Sequence, residues 1–226
     1  MGRWIFGEGS GTQVLDITGH GFNGSFGEPP YNNLTWLSPG EFFFEAPVIS
    51  IVDGALGFAG NSYLRFDDLH FGTTQGAIDI WFRIEELRSS RIQELIAIRR
   101  VEDRRSFFRI RILDTGTIQC EWSANPVGEP SSILTLPPPL QLNLHQMAHL
   151  VCQYGPDGTK MYFNSNLVSN DPAVIQYTGE PTFSEIGVNI LEQNDFLSGL
   201  VDELILYDRT LRPDEVVNAF RSHPTP

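Results

Sequence analysis

The sequence predicts an all-β fold, an antiparallel sandwich closed by one short helix near the C-terminus. Three observations support this prediction. The 226 residues include 16 Phe and 21 Gly, and aromatic residues favour strands whereas glycine favours the turns between them. About a dozen short apolar runs are separated by turn signals, a spacing typical of sandwiches. The length fits a single domain that spans residues 1–226.

The strands in the middle of the chain show the clearest pattern. Residues 77–84 alternate, with isoleucine and phenylalanine on one face and polar or amphipathic side chains on the other. Residues 107–112 repeat this alternation, which indicates a strand with one buried face. An alternative for the tryptophan in the first run is that the terminal helix or a loop covers it. The candidates for an outward binding surface are Trp81, Arg83, Arg109 and Arg111.

Residues 27–53 interrupt the regular spacing of strands. The segment contains four prolines and five aromatic residues, and we expect it to be ordered because proline lowers the entropy of a free loop. Part of its aromatic surface must fold onto the sandwich, and the remainder suits a partner. Trp36 and Phe43 are the candidate contact residues. The alternative is a lid that buries all five aromatic residues on its own domain.

The end of the chain combines a long strand and a helix. Residues 196–207 read F-L-S-G-L-V-D-E-L-I-L-Y, a run rich in strand-forming residues. After a short turn, residues 212–220 have the pattern of a short amphipathic helix. We therefore expect the last strand and this helix to close the sandwich.

Three blocks of the sequence resemble laminin G-like domains, in the order that those domains have. The first block reads W-x-F-x-E-G-S-G-T from Trp4 and D-x-x-G-x-x-x-N-G from Asp16. The middle block includes M-A-H-L-V-x-x-Y from Met147, and the third is the terminal strand and helix. Gly7 and Met147 depart from the family, which has Asp and Trp at those positions. The resemblance implies a concanavalin A-like antiparallel β-sandwich, or jelly roll, of the lectin/glucanase superfamily.

The resemblance also implies a structural calcium site. Asp16 and Asp202 match the positions where this family often holds the ion, between the opening loop and the last strand. Calcium prefers six to eight oxygen ligands from carboxylates and backbone carbonyls. The alternative is that Asp16 begins an Asx-turn and that Asp202 accepts hydrogen bonds from loop amides.

Charge limits the classes of partner. The formal net charge is −13, which disfavours nucleic acid and anionic membrane surfaces. It is compatible with neutral glycans, divalent cations and basic protein surfaces. No apolar run reaches the ~18 residues needed to cross a membrane, and the first residues lack the features of a signal peptide. We therefore expect neither membrane insertion nor secretion by that route.

The two cysteines, Cys120 and Cys152, lie in strand-like runs. Nothing in the sequence indicates an oxidising compartment, so two buried free thiols are the expected state. The alternative is a bridge between adjacent strands.

Catalysis is not expected. Laminarinase-type relatives of this fold carry E-x-D-x-x-E on one strand, which places carboxylates for acid and nucleophile chemistry, and this chain has no such triplet. Its five histidines are scattered without the spacing of metal ligands. Nucleophile-elbow and phosphate-loop motifs are also absent from the sequence.

These observations together predict a non-catalytic attachment module. The first setting is the surface of a phage-like particle, as a decoration, fibre or tail protein that is made in the cytoplasm. In this setting the chain is oligomeric or particle-bound and contacts a protein partner in a larger assembly. The alternative is a carbohydrate-binding, lectin-like module of a secreted or cell-surface protein. There, Trp36 or Trp81 stacks on a glycan and arginines donate hydrogen bonds to it.

Overall fold

Two antiparallel sheets and one helix make up the fold. The computed structural model describes residues 2–49, 51–69, 72–101, 106–123, 131–177, 182–189 and 194–223. The first nine strands are β1 (Gly2–Trp4), β2 (Gln13–Val14), β3 (Gly24–Phe26), β4 (Leu34–Leu37), β5 (Phe42–Phe43), β6 (Ala46–Pro47), β7 (Ala55–Ala59), β8 (Leu64–Leu69) and β9 (Gly76–Ile84). The others are β10 (Gln93–Arg100), β11 (Ser106–Ile112), β12 (Ile118–Trp122), β13 (Ser132–Thr135), β14 (Ala148–Gly155), β15 (Gly158–Phe163), β16 (Asn166–Asp171), β17 (Thr182–Ile186) and β18 (Ser198–Tyr207), and helix α1 (Pro213–Ser222) follows them.

The strands pair into two large sheets and one separate hairpin. The first sheet has the order β16–β15–β14–β9–β18–β7–β4, and β1 also pairs with β18. The second sheet has the order β13–β12–β11–β10–β17–β8–β3–β2. Strands β5 and β6 form the hairpin. The predicted sandwich with a short C-terminal helix is therefore confirmed.

The hydrophobic core lies between the two sheets. The ring of Trp4 in β1 lies 4.5 Å from that of Phe66 in β8, so these aromatic rings join the sheets. Within the second sheet, Phe108 and Trp122 lie 5.2 Å apart. All four side chains are buried, and each such side chain contributes about 1.5–3 kcal/mol to folding. Strand β9 turns its alternate apolar side chains to the same core, as its period of two predicts.

A disulfide bond joins the two sheets. Cys120 in β12 is bonded to Cys152 in β14, and these strands belong to different sheets. The expectation of two free thiols is therefore wrong. The alternative of a bridge between adjacent strands is right about the bond but not about its place, because two inward-facing cysteines on opposite sheets meet across the core.

The outer face of the first sheet is covered by α1, by residues 38–49 and by residues 51–53. Trp81 in β9 is 2% exposed and stacks on the imidazole of His223 at 4.3 Å and on that of His149 at 4.8 Å. The ring of Phe220 in α1 lies 5.6 Å away on the same cluster. The alternative in which the terminal helix covers Trp81 is thus the observed arrangement.

Arg83 is buried on the same face, beneath the β5–β6 hairpin. Its guanidinium lies 2.6 Å from the carboxylate of Glu85 and donates to the backbone oxygen of Pro47 at 2.6 Å. Glu85 also contacts Nδ1 of His145 at 2.8 Å. The arginine therefore ties the hairpin to the sheet.

Helix α1 is short and is fixed at its first turn. The backbone N–H of Arg212 donates to Glu215 at 2.8 Å, and Arg209 pairs with the same carboxylate at 2.9 Å through two nitrogens. The Arg209 guanidinium and the Arg212 N–H hold the pKa of Glu215 at about 2. Within the described residues, no helix has the length and apolar character needed to span a bilayer.

Removing the disulfide is expected to destabilise the domain. The bond closes a chain segment of 32 residues, for which loop-closure entropy predicts a loss of about 3–4 kcal/mol in the free energy of unfolding. The double variant Cys120→Ala/Cys152→Ala, compared with oxidised wild type by urea denaturation, measures this loss. Two titratable thiols in denatured protein prepared without reductant would contradict the bond itself.

Candidate functional site

The structure places the four predicted surface residues on two different faces of the sandwich. Trp81 and Arg83 lie on the outer face of the first sheet, where the helix and the hairpin bury them. Arg109 and Arg111 lie on β11 in the second sheet, not on a strand next to β9. The four residues therefore do not form one surface, because alternation gives the face of a side chain but not the sheet that its strand joins.

The two predicted contact residues of segment 27–53 pack on their own domain. Trp36 is half-buried, lies 5.7 Å from the ring of Phe26 and donates from Nε1 to the backbone oxygen of Gly11 at 3.0 Å. Phe43 is 8% exposed and belongs to the apolar cluster under the hairpin. Both aromatic side chains thus hold the segment in place.

Three apolar side chains near them in the sequence are exposed, namely Phe42, Phe44 and Ile49, and we call these residues the aromatic tip. These side chains are 71%, 46% and 52% exposed. Phe44 also has a φ of 56°, in the left-handed region that costs a bulky residue about 1–3 kcal/mol. The aromatic count of the segment predicted an exposed remainder, but only the hairpin geometry shows which side chains form it.

The outer face of the second sheet carries paired charges. Glu121 in β12 contacts Arg109 at 2.5 Å and also contacts Arg111. The side chains of these two arginines are 29% and 17% exposed. Beside them, buried Arg99 lies 3.2 Å from Glu185. Solvent therefore reaches this face at Arg109 and Arg111, whereas the carboxylate of Glu121 is buried beneath them.

Glu94 is a buried acid on this face that the sequence analysis did not identify. It stands opposite Arg111 in the β10–β11 register, and neither of its carboxylate oxygens accepts a hydrogen bond within the described part of the chain. Burial raises the pKa of Glu94 to about 7, although Arg99, Arg109 and Arg111 oppose the shift. No sequence motif surrounds Glu94, so only the packing distinguishes it.

Asp16 acts as an acceptor for the opening loop. Its carboxylate accepts the N–H of Arg3 at 3.1 Å, the N–H and hydroxyl of Thr18 at 3.0 and 2.7 Å, and the N–H of Phe22 at 3.3 Å. Burial alone raises the pKa of Asp16, but these hydrogen bonds outweigh burial and leave the pKa below its ordinary value. This arrangement matches the Asx-turn alternative.

Asp202 and Glu203 point to the same side of β18 because a bulge interrupts the strand. Val201 and Glu203 oppose consecutive residues of β9, which leaves Asp202 as the extra residue. Asp202 accepts the N–H of Val52 at 3.2 Å, and Nε2 of His223 lies 3.0 Å from Oδ2. Burial raises the pKa of Asp202 to about 6, against the effects of His223 and Val52.

A cavity of about 150 Å³, which we call the acidic pocket, opens beside these carboxylates. Its buried side consists of Asp202, Glu203 and His223, and its walls include Ile5, Ile17 and Val52. Arg3, Asp53 and Ser222, which are exposed, complete the lining. The guanidinium of Arg3 lies 2.6 Å from Glu203.

The described residues do not provide a usual calcium site. The oxygens of Asp16 are directed at N–H and O–H donors, whereas calcium needs six to eight oxygen ligands. In the described ranges, no three His, Cys, Asp or Glu side chains are grouped so that they could hold a metal ion. Calcium binding at Asp16 and Asp202 therefore stays a prediction.

The chain matches a family model for the concanavalin A-like lectin/glucanases superfamily over residues 58–217. This match confirms the resemblance predicted from the sequence blocks. No curated protein matches the sequence.

Solved structures with a similar fold include toxin domains and a sialidase. The botulinum neurotoxin type G receptor binding domain superposes with a TM-score of 0.67 and 10% identity, over 98% of this chain and 51% of that one. The botulinum neurotoxin serotype D binding domain superposes with a TM-score of 0.66 and 13% identity, over 98% of this chain and 51% of that one. Trypanosoma rangeli sialidase in complex with sialic acid superposes with a TM-score of 0.64 and 12% identity, over 98% of this chain and 32% of the sialidase. The chain thus spans about half of each toxin domain and a third of the sialidase, and these identities show a shared fold alone.

Glu94→Gln is expected to change the pH dependence of stability. Between the unfolded pKa of about 4.3 and the folded pKa of about 7, the native state binds more protons than the unfolded state. The free energy of unfolding therefore falls as pH rises through this window and is level above it. The neutral variant lacks the fall, so urea denaturation at pH 8 should find it more stable than wild type by up to about 3 kcal/mol.

The control for this experiment is Glu86→Gln, because the Glu86 side chain is 49% exposed. It should follow the wild-type profile. A Glu94→Gln variant that is less stable than wild type at pH 8 would contradict the pKa assignment.

Asp16→Ala is expected to lower the free energy of unfolding by about 2–3 kcal/mol, because charge-assisted hydrogen bonds to buried loop amides are lost. The folded pKa of Asp16 is depressed, so its stabilisation is present above about pH 4 and is lost as pH falls through the folded pKa. Thermal melting should show the same loss of stability in Asp16→Ala whether the buffer contains calcium or EDTA. Asp157→Ala, at an exposed position, is the control and should melt like wild type. A loss confined to calcium-containing buffer would instead establish a bound ion.

Proposed function

The chain belongs to the laminin G-like family of the concanavalin A-like lectin/glucanases superfamily, and from this premise we propose that it is a non-catalytic attachment module. The aromatic tip is its contact surface for a protein partner in a larger assembly. The setting that we propose is the surface of a larger particle, such as a phage-like one, as a decoration, fibre or tail protein.

The observation that carries this proposal is the exposure of the aromatic tip. Phe42 leaves 71% of its surface in solvent, and exposed clusters of large apolar side chains mark interaction sites. Phe44 holds a strained backbone conformation at φ 56° while its ring is only half-buried. The ring packs edge-on against Phe43 at 4.9 Å, and strained backbone positions cluster at functional sites.

Charge defines the surface that fits the tip. Glu41 and Glu45 flank it and are exposed, and the whole chain carries a formal charge of −13. A complementary partner presents an apolar pocket with a basic rim, whereas a second copy of this chain meets like charge. Two of the similar solved structures are toxin domains named for binding, one of them for receptor binding, which agrees with an attachment role.

Carbohydrate binding is the second candidate function. It is favoured by the polar outer face of the second sheet, where Arg109 and Arg111 are partly exposed and can donate hydrogen bonds to hydroxyl groups. The Cys120–Cys152 bond also agrees with a secreted or cell-surface protein, since disulfides persist in oxidising compartments. Binding of neutral oligosaccharides that Arg109→Ala/Arg111→Ala abolishes would favour this candidate.

The attachment proposal is tested at the tip itself. Phe42→Ser/Phe44→Ser should leave the free energy of unfolding within about 0.5 kcal/mol or raise it, whereas Phe43→Ala should lower it by about 3 kcal/mol. A photoreactive benzoylphenylalanine at position 42 or 44, in cells that make the native assembly, should crosslink to one and the same protein, identified by mass spectrometry. The control position is Leu167 on β16, which is 52% exposed. Equal crosslinking from Leu167, or none from the tip, would contradict the proposal.

A further inference from the structure

We propose that the acidic pocket binds a primary ammonium group at the end of an alkyl chain, presented as a lysine side chain of the partner protein. The inference rests on the proposed attachment function and names the group that the partner inserts.

The charge of the lining calls for a cation. Asp53, Asp202 and Glu203 carry three negative charges, and Arg3 supplies one positive charge. A protonated His223 would still leave the lining negative. Two of the carboxylates are almost fully buried, and buried charge is costly unless a counter-charge faces it. The formal charge of −13 also draws cations towards the surface of the chain.

The buried side chains of Asp202 and His223 can accept further hydrogen bonds. In the described part of the chain, Asp202 lies 3.0 Å from Nε2 of His223 and accepts two long hydrogen bonds from the N–H of Val52, at 3.2 and 3.3 Å. His223 is 6% exposed; its Nε2 faces Asp202, whereas its Nδ1 has no hydrogen-bond partner among the described residues. A buried polar group in this state calls for a ligand or a water molecule. An ammonium group has three donors to direct at such acceptors.

The shape of the pocket selects an alkylammonium. Ile5, Ile17 and Val52 form apolar walls beside the carboxylates, which matches a lysine side chain with its apolar stem and charged head. The volume of about 150 Å³ corresponds to about five water molecules, and a butylammonium ion has five non-hydrogen atoms. The acceptors need only face the ammonium group, whereas a metal ion needs a full coordination shell.

The pocket is close enough to the aromatic tip for one partner to use both. Ile49 of the tip and Asp53 of the pocket are four residues apart, so their Cα atoms are at most about 14 Å apart. A partner with an apolar pocket and a basic rim therefore has a basic group at the right distance.

The inference is tested with defined amines. NMR titration of the 226-residue chain with Nα-acetyl-lysine amide should shift the backbone amides of Val52, Asp53 and Glu203. The same titration with Nα-acetyl-norleucine amide, which lacks the ammonium group, should not. Butane-1,4-diamine distinguishes a free amine from a side chain: if only the diamine binds, the assignment to a partner lysine is wrong. Saturation by calcium at the same amides with no response to lysine amide would identify a metal site and overturn the proposal.

Variants assign the binding to this pocket. Asp202→Asn should raise the dissociation constant for lysine amide at least tenfold, while Asp157→Asn, which removes the same charge elsewhere on the surface, should change it less than twofold. If Asp202→Asn does not fold, Ile17→Trp blocks the opening at a side chain that is 50% exposed and should abolish the shifts. Unchanged affinity in the folded variants would overturn the proposal. Because Phe42→Ser/Phe44→Ser leaves the pocket intact, lysine-amide binding by that variant separates failure of the tip from failure of the pocket.

Discussion

The stack around Trp81 is the contact on which the position of the terminal helix over the first sheet depends. A ten-residue helix such as α1 is not stable in isolation, so its position relies on contacts with the sheet. Phe220 near the end of the helix and His223 beyond it both stack on Trp81. His223 in turn forms one side of the acidic pocket. A residue that resembles a lectin's aromatic platform therefore acts here as a structural anchor.

The two outer faces of the sandwich differ in the side chains that they expose. The first sheet is covered, and what it offers to a partner is the tip of the covering hairpin and the pocket at its margin. The second sheet keeps a charged face in which Glu121 is shared by two arginines. Buried Glu94 on the same face accepts no hydrogen bond at its carboxylate oxygens from the residues that the structure describes. A module with both features has room for a protein contact on one side and a polar ligand on the other.

The sequence predicted the sandwich, the terminal helix and the family, because alternation, turn residues and motif order are local properties. It could not predict which sheet each strand joins. This is why Trp81 and Arg109 were both candidates for one surface, and why a Cys120–Cys152 bond was considered only between adjacent strands. The exposure of Phe42 instead of Phe43 depends on which face of the β5–β6 hairpin lies against the first sheet. The pocket depends on a bulge at Asp202, and no residue type in that strand marks a bulge.

The pairing of the first and last strands has a mechanical consequence. Gly2 lies opposite Leu206 and Trp4 opposite Leu204, so the start of β1 is beside the end of β18. Tension between these two ends would peel the short strand away one pair at a time, which takes less force than sliding two strands along their whole length. Arg3 lies in the middle of β1 and pairs with Glu203, so peeling would withdraw a positive charge from the pocket. An attachment module pulled in this direction would therefore become more negative at its binding site under tension.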